Sequence, residues 1–287
     1  MVFGSMIAGG TSVGGGAVAF PVFTKLLHMA PHDAKVFSLA IQSVGMGSAS
    51  LAIWVTGIKV DWRAIFWTSI GGVLGIFMGL AFLAPFLPLD VIKMFFTMML
   101  SSLAVSLLVS GARECNLTVG DWSFRERGIF ILTGIVGGIM SGLVGNGIDI
   151  FAFSVMVLLF RISEKIATPT SVVMMAINAI AGFVLEVFVF EDFTEPVRSY
   201  WLAAIPIVVV GAPLGAMFCS LLRRETIANI LIGLIAIEMI TSFLLIPLRP
   251  VVLYFSLTTV ILFSSLNYWM YRTKIYAVKD VGKKDND

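Results

Sequence analysis

Long apolar segments are the feature that most constrains how this chain can fold. A helix that crosses the hydrocarbon core of a bilayer needs about 20 mostly apolar residues. Nine segments of the sequence approach or exceed that length, at about 3–28, 35–58, 64–87, 91–110, 128–160, 166–190, 199–222, 226–247 and 251–270. The segment at 128–160 is too long for one straight span, so it either tilts steeply or contains two half-helices around a glycine break, and the first segment leaves the same choice open. Because backbone polar groups in lipid must be satisfied within the segment, such segments form helices. The sequence therefore predicts an all-α, polytopic integral membrane protein.

The composition supports this class and excludes others. Charged residues make up 13% of the 287 residues and the mean hydropathy is +1.00, whereas soluble domains average about 25% charged residues. A net charge of +2 predicts no nucleic-acid partner. Cys115 and Cys219 have no CxxC spacing, and His28 and His32 have no third ligand nearby in sequence. No metal site and no cofactor are therefore predicted.

Two glycine-rich stretches interrupt the apolar segments. The triplet Gly14 to Gly16 lies in the first segment, and Gly145 and Gly147 follow Gly14 and Gly16 by 131 positions. Each glycine lowers helix propensity by about 1 kcal/mol relative to alanine, so the helix is expected to break at both stretches. Unwound backbone at membrane depth is tolerated only where protein or a water-filled cavity satisfies it. Paired glycine-broken segments are typical of the substrate sites of secondary transporters.

The residues at these breaks are suited to binding a small anion. A half-helix that begins just after a break directs backbone N–H groups and a partial positive charge toward it. Glycine lets the backbone approach an oxyanion closely, and neutral side chains add hydrogen-bond donors. The predicted substrate-binding residues are Thr11, Ser12, Gly14, Gly15, Gly16, Ser141, Gly145, Asn146 and Gly147. The alternative is that these glycines only kink the helices.

Carboxyl groups within apolar segments are candidates for coupling transport to protons, since intramembrane carboxylates are costly. Asp149 and Glu238 are the two coupling candidates. Asp149 lies one turn into the second half-helix, so the alternative for it is to cap its own helix N-terminus. Glu186 is near the end of a segment and is expected to reach the membrane interface. Polar residues on the helices after each break either line a cavity or bridge helices: Gln42, Ser43, Thr170, Ser171 and Asn178.

The order of segments predicts an internal repeat. Residues 1–110 form the first predicted transmembrane repeat and 128–248 the second, with the polar linker 111–127 between them. An extra C-terminal helix at 249–271 and a charged cytoplasmic tail at 272–287 follow. Small residues at four-residue spacing predict close helix packing in both halves: Gly71, Gly75, Gly79, Gly134, Gly138, Gly142, Gly211 and Gly215.

The basic residues set a predicted orientation, because cytoplasmic loops carry an excess of Lys and Arg. If all nine segments cross, one side receives most basic residues: Lys35, Arg161, Lys165, Arg223, Arg224, Arg272, Lys274, Lys279, Lys283 and Lys284. The other side receives the acidic loop 191–195 and a basic minority: Lys59, Arg63, Arg113, Arg125 and Arg127. We therefore predict a multi-pass plasma-membrane protein with a cytoplasmic C-terminus.

These motifs resemble those of the sulfite exporter TauE/SafE family, also called sulfonate/sulfite permeases. The resemblance rests on Gly14-Gly-Gly16 followed by Pro21, on Ser-Gly-x-x-Gly-x-Gly at 141–147, and on the duplicated four-helix plan. It covers nearly the whole chain. It implies a secondary carrier of small sulfur-containing anions in which the two breaks face each other across a pseudo-symmetry axis.

The leading hypothesis is thus a secondary transporter of a small anion: sulfite, a sulfonate or a related sulfur oxyanion. The predicted partners are this anion and the lipid bilayer. No GxxxxGK[ST] motif is present in the sequence, so coupling to protons or to the membrane potential is the hypothesis for its drive. A passive anion channel is the first alternative. An intramembrane enzyme is a weaker one, because no intramembrane His and no nucleophile–base pair is found in the sequence.

Overall fold

A computed structural model describes residues 2–11, 30–84, 86, 88–110, 116, 118–120, 122–246 and 249–273. Their regular structure is helical apart from one β-bridge between Asn116 and Ile162. The α-helices are α1 Val2–Gly10, α2 Pro31–Val55, α3 Trp62–Met78, α4 Leu89–Ser110, α5 Phe124–Val144, α6 Ile148–Ser154, α7 Glu164–Phe188, α8 Val197–Leu221, α9 Arg224–Leu245 and α10 Pro250–Arg272. Two π-helical turns, Gly79–Leu83 and Val155–Leu159, extend α3 and α6.

The predicted fold class, all-α and polytopic, is confirmed. Within the described residues, eight helices are long and apolar enough to span a membrane, and Ile148–Leu159 is a shorter apolar helix. The eight are α2 to α5 and α7 to α10. Only the beginning of the first predicted segment, as α1 and Thr11, is among the described residues.

The segment predicted at 128–160 is a helical hairpin and not a single crossing. α5 begins at a capping box formed by Ser123 and Glu126. The chain then turns back after Val144, since a Cβ built on Gly137 of α5 would lie 2.7 Å from the Cα of Ile148 in α6. Near the far end of α6, the ring of Phe160 stacks on that of Phe130, with the centroids 5.0 Å apart. Both ends of the hairpin therefore lie on the same side of the protein.

Contacts between loops confirm that side. Asp61, between α2 and α3, caps α3 through the N–H groups of Arg63 and Ala64 and accepts a hydrogen bond from Val119 N at 3.2 Å. The backbone of Asn116 bonds to that of Arg161, at the end of the hairpin, at 2.8 Å. These loops define what we call the linker face: residues 56–61, 116, 118–120, 122–123 and 160–163, the 222–223 turn and the end of α10.

The opposite face, here called the His32 face, holds the beginning of α2 and the loop after α7. His32 Nε2 lies 3.2 Å from Asp192 Oδ2 across these two segments. On the same face, the indole of Trp201 at the beginning of α8 donates to the carbonyl of Ala40 at 2.8 Å. From α2 onward, each helix runs between the two faces in the direction opposite to that of the helix before it. α6 follows this rule, because it returns from the turn toward the linker face.

The hairpin corrects the predicted distribution of charges. Because α6 returns to the linker face, the residues predicted to be a basic minority join the others on that face. The described basic residues there are Lys59, Arg63, Arg125, Arg127, Arg161, Lys165, Arg223, Arg224 and Arg272. Arg113 and the tail beyond Thr273 lie outside the described residues. Lys35, by contrast, belongs to the His32 face.

Interlocking glycines join α3 and α5. A Cβ on Gly71 or Gly75 would overlap the carbonyl oxygen of Ile131 or Ile135, and one on Gly138 would overlap that of Gly72. The contacts advance in the same direction along both helices, so α3 and α5 run parallel with their backbones in contact. The close packing predicted from the four-residue glycine spacing is confirmed for this pair.

A second close pair joins α1 to α8. A Cβ on Gly9 would overlap the carbonyl oxygen of Ala212, and one on Gly215 would overlap that of Met6. In each close pair, a helix that leads into a glycine break packs on a helix from the other half of the sequence. α2 and α7 pack against each other between the two pairs.

We expect Gly138→Ala to destabilise the protein by more than the about 1–3 kcal/mol typical of overpacked cores, because its new Cβ would overlap backbone that cannot rotate away. Thermal unfolding in detergent measures the change. The control is Gly233→Ala in α9, where a Cβ would meet no atom within 4 Å and alanine favours the helix. Equal melting temperatures for the two variants would show that the α3–α5 contact is looser than described.

Candidate functional site

The second glycine break is the turn between α5 and α6. α5 ends at Val144, Gly145 adopts a left-handed conformation with φ of +84°, and Gly147, with φ of +157°, is the N-cap of α6. A side chain at Gly145 would be strained, and its Cβ would also lie 2.7 Å from the Cβ of Ser38. At Gly147, a Cβ would lie 2.7 Å from the Cβ of Met140. The predicted interruption of the helix is therefore present, and its backbone is packed against α2 and α5.

Side chains from α2 and α5 satisfy the backbone of this turn. The carbonyl of Gly145 accepts hydrogen bonds from Gln42 Nε2 at 2.7 Å and from Ser38 Oγ at 3.2 Å. Ser141 accepts from Gly145 N through its carbonyl at 2.8 Å and from Ile148 N through its hydroxyl at 3.2 Å. The turn is buried, so these bonds provide what water provides in an exposed loop. Gln42 thus bridges helices, one of the two roles predicted for it.

Asp149 lies at the beginning of α6 and is 2% exposed. Its Oδ1 accepts a hydrogen bond from Ile150 N at 3.0 Å. The carboxyl group of Asp149 thus binds the N-terminal backbone of its own helix, as the alternative hypothesis expected. In this arrangement a carboxylate occupies a backbone donor to which a substrate anion was expected to bind.

Several polar side chains close to the turn are buried without hydrogen-bond partners among the described residues. They include Asn178 on α7, which is fully buried and whose amide oxygen would lie 2.9 Å from a Cβ built on Gly72. Ile148, the first residue of α6, contacts the same point of α3. Thr68, one turn before Gly72, also has an unpaired hydroxyl, and Gln42 an unpaired amide oxygen. Unpaired buried polar groups cost about 1–3 kcal/mol each unless a ligand or water binds them.

The remaining polar residues predicted to line a cavity bond within their own segments. Ser43 Oγ donates to Ala40 O at 2.8 Å, and Ser171 Oγ donates to Thr168 O at 2.8 Å. Thr170 donates to its own helix and accepts from Asp61 N at 3.1 Å, so it helps to join α7 to the linker face. None of these three contributes an unpaired group to the turn.

The sequence analysis missed a buried ion pair beside the turn. Lys35 Nζ on α2 lies 2.9 Å from Glu186 Oε1 on α7, and the two side chains are 8% and 0% exposed. Glu186 was expected to reach the membrane interface, and that interpretation is wrong because α7 packs the residue against α2. Lys35 was assigned to a loop, and it belongs to α2. The signal available in the sequence was the occurrence of opposite charges in two apolar segments that pack together.

Most of the first break lies outside the described residues: Ser12, Gly14, Gly15 and Gly16 are not described. Thr11, the last described residue before it, is buried and donates to Ile7 O at 2.8 Å. A small cavity beside the end of α1 is lined by Gly9, Gly10, Ile58, Lys165, Thr168, Pro169, Ala216, Cys219, Ser220 and Ile227. The predicted proximity of the two glycine breaks therefore stays a prediction.

The end of α1 and the second break lie near different ends of the α2–α7 pair. These helices run antiparallel, because Lys35 near the beginning of α2 meets Glu186 near the end of α7. The second break packs on the beginning of α2, and the end of α1 faces Thr168 near the beginning of α7.

Glu238 belongs to a separate polar cluster between α9 and α4. Its Oε1 accepts from Ser242 Oγ at 3.3 Å, and Ser242 Oγ lies 2.9 Å from Thr97 Oγ1. Lys93, one turn before Thr97, is close enough to interact electrostatically with Glu238. The described contacts thus place Asp149 at the turn and Glu238 in the α4–α9 layer. Within the described residues, no group of three or more His, Cys, Asp or Glu side chains is arranged to hold a metal ion.

Comparison with known proteins agrees with this architecture. The family model described as "Sulfite exporter TauE/SafE" matches residues 1–242, which include both glycine breaks and every helix up to most of α9. No curated protein and no solved structure matches the chain. Because the matched region is most of the chain, the chain is a member of the sulfite exporter TauE/SafE family of membrane transporters.

Proposed function

We propose that the protein is a secondary transporter that moves sulfite, a sulfonate or a related sulfur oxyanion across the plasma membrane. The observation that carries this proposal is the buried glycine turn at Gly145–Gly147, where backbone donors at the beginning of α6 meet neutral donors from α2 and α5. Sulfur oxyanions present several oxygen acceptors, which suit a site rich in N–H and hydroxyl donors.

The site consists of the predicted residues of this turn, Ser141, Gly145, Asn146 and Gly147, together with Ser38 and Gln42 from α2. Asn178 extends the site toward α3, because its unpaired amide offers both a donor and an acceptor. By the predicted repeat, Thr11, Ser12 and Gly14 to Gly16 are the counterparts of these residues. Of them, Thr11 directly follows α1, whose end faces the other end of the α2–α7 pair. Substrate reaches this turn only if the surrounding helices part, which suits a carrier better than an open channel.

The packing of the helices supports two repeats of opposite orientation. α3, from the first half of the sequence, packs on α5, which leads into the second break. α8, from the second half, packs on α1, which leads into the first break. α2 and α7, the helices that follow the breaks, lie antiparallel between these pairs. Inverted repeats with broken helices are how many secondary transporters expose one site to alternate sides of the membrane.

We place the linker face in the cytoplasm. The described loops of that face hold most of the basic residues, and the His32 face receives Glu191, Asp192 and Glu195. Cytoplasmic loops carry the excess of Lys and Arg, and the C-terminus then lies on the cytoplasmic side with them. The hairpin moves the predicted minority of basic residues to the linker face, and the described basic residues on the His32 face are Lys35, Lys93, Arg198 and Arg249.

We propose Asp149 and Glu238 as the candidates for coupling transport to protons. Asp149 is the stronger of the two by position, because its carboxylate occupies a backbone donor that a substrate anion would use. Protonating it would release that donor and remove a repelling charge, so proton and anion binding would favour each other. Glu238 is buried in the α4–α9 layer and would act through movement of that layer.

The function is tested by counterflow of radiolabelled sulfite in proteoliposomes. We expect saturable counterflow with the wild type and a loss of about 10-fold or more, equivalent to about 1.4 kcal/mol, with Gly147→Val, because valine fills the space beside Met140 where the backbone faces the site. Gly15→Val is expected to behave alike by the predicted repeat. The control is Gly47→Val in α2, where a Cβ meets nothing within 4 Å. Flux without counterflow would instead indicate a passive channel, and wild-type rates in Gly147→Val would remove the turn from the site.

Asp149→Asn and Glu238→Gln test the coupling, since each keeps the shape of the side chain and fixes the neutral form. For the residue that carries the proton, the variant is expected to bind sulfite but to transport it at a rate that no longer changes with pH. Initial rates of uptake measured at about pH 5 to about pH 8, a range in which a buried carboxyl group with a raised pKa titrates, test this. Wild-type pH profiles in both variants would show that neither carboxyl group couples transport to protons.

A further inference from the structure

Among the Lys and Arg side chains that the structure describes, Lys35 is the one that is buried. The others of that described set are at least partly exposed. A buried cation is costly, so in a membrane-spanning segment it indicates function unless a structural role accounts for it. In a transporter of anions, a buried cation that is close to the substrate site has an evident use.

The position of Lys35 connects it to the glycine turn. Its backbone carbonyl would lie 3.0 Å from a Cβ built on Gly145, and Ser38 and Gln42, one and two turns later on α2, bind the Gly145 carbonyl. The side chain of Lys35 therefore belongs to the same stretch of α2 that packs against the turn. Its partner Glu186 comes from α7, which carries the unpaired Asn178 two turns earlier.

The ion pair is incompletely satisfied, which argues against a purely structural role. Glu186 is fully buried, and its Oε2 accepts no hydrogen bond from any described residue. A buried ion pair contributes net stability only when further hydrogen bonds satisfy its remaining lone pairs, and apolar replacements are often equally stable. The Lys35 ammonium group is thus the one described partner of the Glu186 carboxylate, and separating the two is offset only if another anion takes the carboxylate's place at Nζ.

We propose that Lys35 is the cationic ligand of the transported anion, and that Glu186 is a tethered carboxylate that holds this ammonium group when no substrate is bound. A sulfur oxyanion and a carboxylate both offer oxygen acceptors to an ammonium group, so one can replace the other at Nζ. Because Glu186 is on α7 and the glycine turn packs on α2, this exchange would loosen the contact between α2 and α7. The inference deepens the proposed function and rests on it.

The other charged groups of this face do not serve the same role. His32 and Asp192 form a pair whose side chains are 54% and 39% exposed, and Asp33 lies 3.8 Å from His32. Exposed ion pairs contribute little and are screened by salt. They supply a matched control, because they join the same two segments as Lys35 and Glu186 but lie at the surface.

The experiment measures binding of sodium sulfite to the purified full-length protein in detergent, by calorimetry and by thermal unfolding, against equal concentrations of sodium chloride. The double variant Lys35→Met/Glu186→Leu removes both charges and leaves no unpaired ion. We expect its melting temperature to stay close to that of the wild type and its Kd for sulfite to rise by about 10-fold or more. The control Asp192→Asn is expected to keep the wild-type Kd.

Glu186→Gln gives an independent result if the double variant does not fold. Removing the competing carboxylate while keeping Lys35 leaves the ammonium group without a counter-ion, so we expect sulfite to raise the melting temperature more than it does in the wild type. An equal or smaller rise would overturn the proposal, as would a wild-type Kd in the folded double variant. Failure of the wild type itself to bind sulfite, thiosulfate or a sulfonate would overturn the proposed function and this inference with it.

Discussion

The structure depends on one requirement, that the unwound backbone of the turn at Gly145–Gly147 find hydrogen-bond partners inside the protein. In a membrane such a turn cannot face lipid, so α2 must lie beside it and supply Ser38 and Gln42. Ser141, at the end of α5, supplies the other bonds. The position of α2 in turn fixes where α7 packs and where Lys35 meets Glu186.

The same requirement explains the glycines far from the turn. For α5 to bring its end to the wall of α2, it must lie against α3 with the backbones in contact, and Gly71, Gly75 and Gly138 make that approach possible. Such contact leaves little freedom between α3 and α5, whereas α2 and α7 are joined by a buried pair whose charges can exchange partners. Movement during transport is therefore expected between α2 and α7 and not within the glycine-packed pair.

Much of this architecture could be predicted from the sequence, because segment length and glycine content are local properties. The lengths of the apolar segments predicted α2 to α5 and α7 to α10, and Gly145 and Gly147 predicted the end of α5. The direction in which the chain leaves the turn could not be predicted, since an apolar stretch of the length of 148–159 fits either a returning helix or a continued crossing. Because of this ambiguity, Lys59 and Arg125 were predicted on the side opposite to Arg161, whereas all three lie on the linker face.

The site could be predicted only in part, for a related reason. Ser141 and Gly147 could be predicted as candidates because the break is a local feature, and Asp149 because a carboxyl group in an apolar segment is costly. Ser38 and Lys35 reach the turn through contacts between segments that are distant in the sequence, and an isolated sequence holds no direct signal for such contacts. Glu186 was misplaced for the same reason, since its distance from the end of α7 suggested the interface and its packing against α2 was not visible.

The claim on which this account depends is that the chain turns back at the second break, so that both ends of the α5–α6 hairpin lie on one side of the membrane. Side-specific labelling tests it most directly, using single cysteines at the exposed positions Arg125 and Lys165, which flank the hairpin, in a chain that lacks Cys115 and Cys219. Glu191→Cys marks the opposite face. With a membrane-impermeant maleimide on intact cells, the account predicts labelling at position 191 and protection at both 125 and 165. Labelling of only one of the two hairpin positions would contradict it, because the segment would then cross the membrane once.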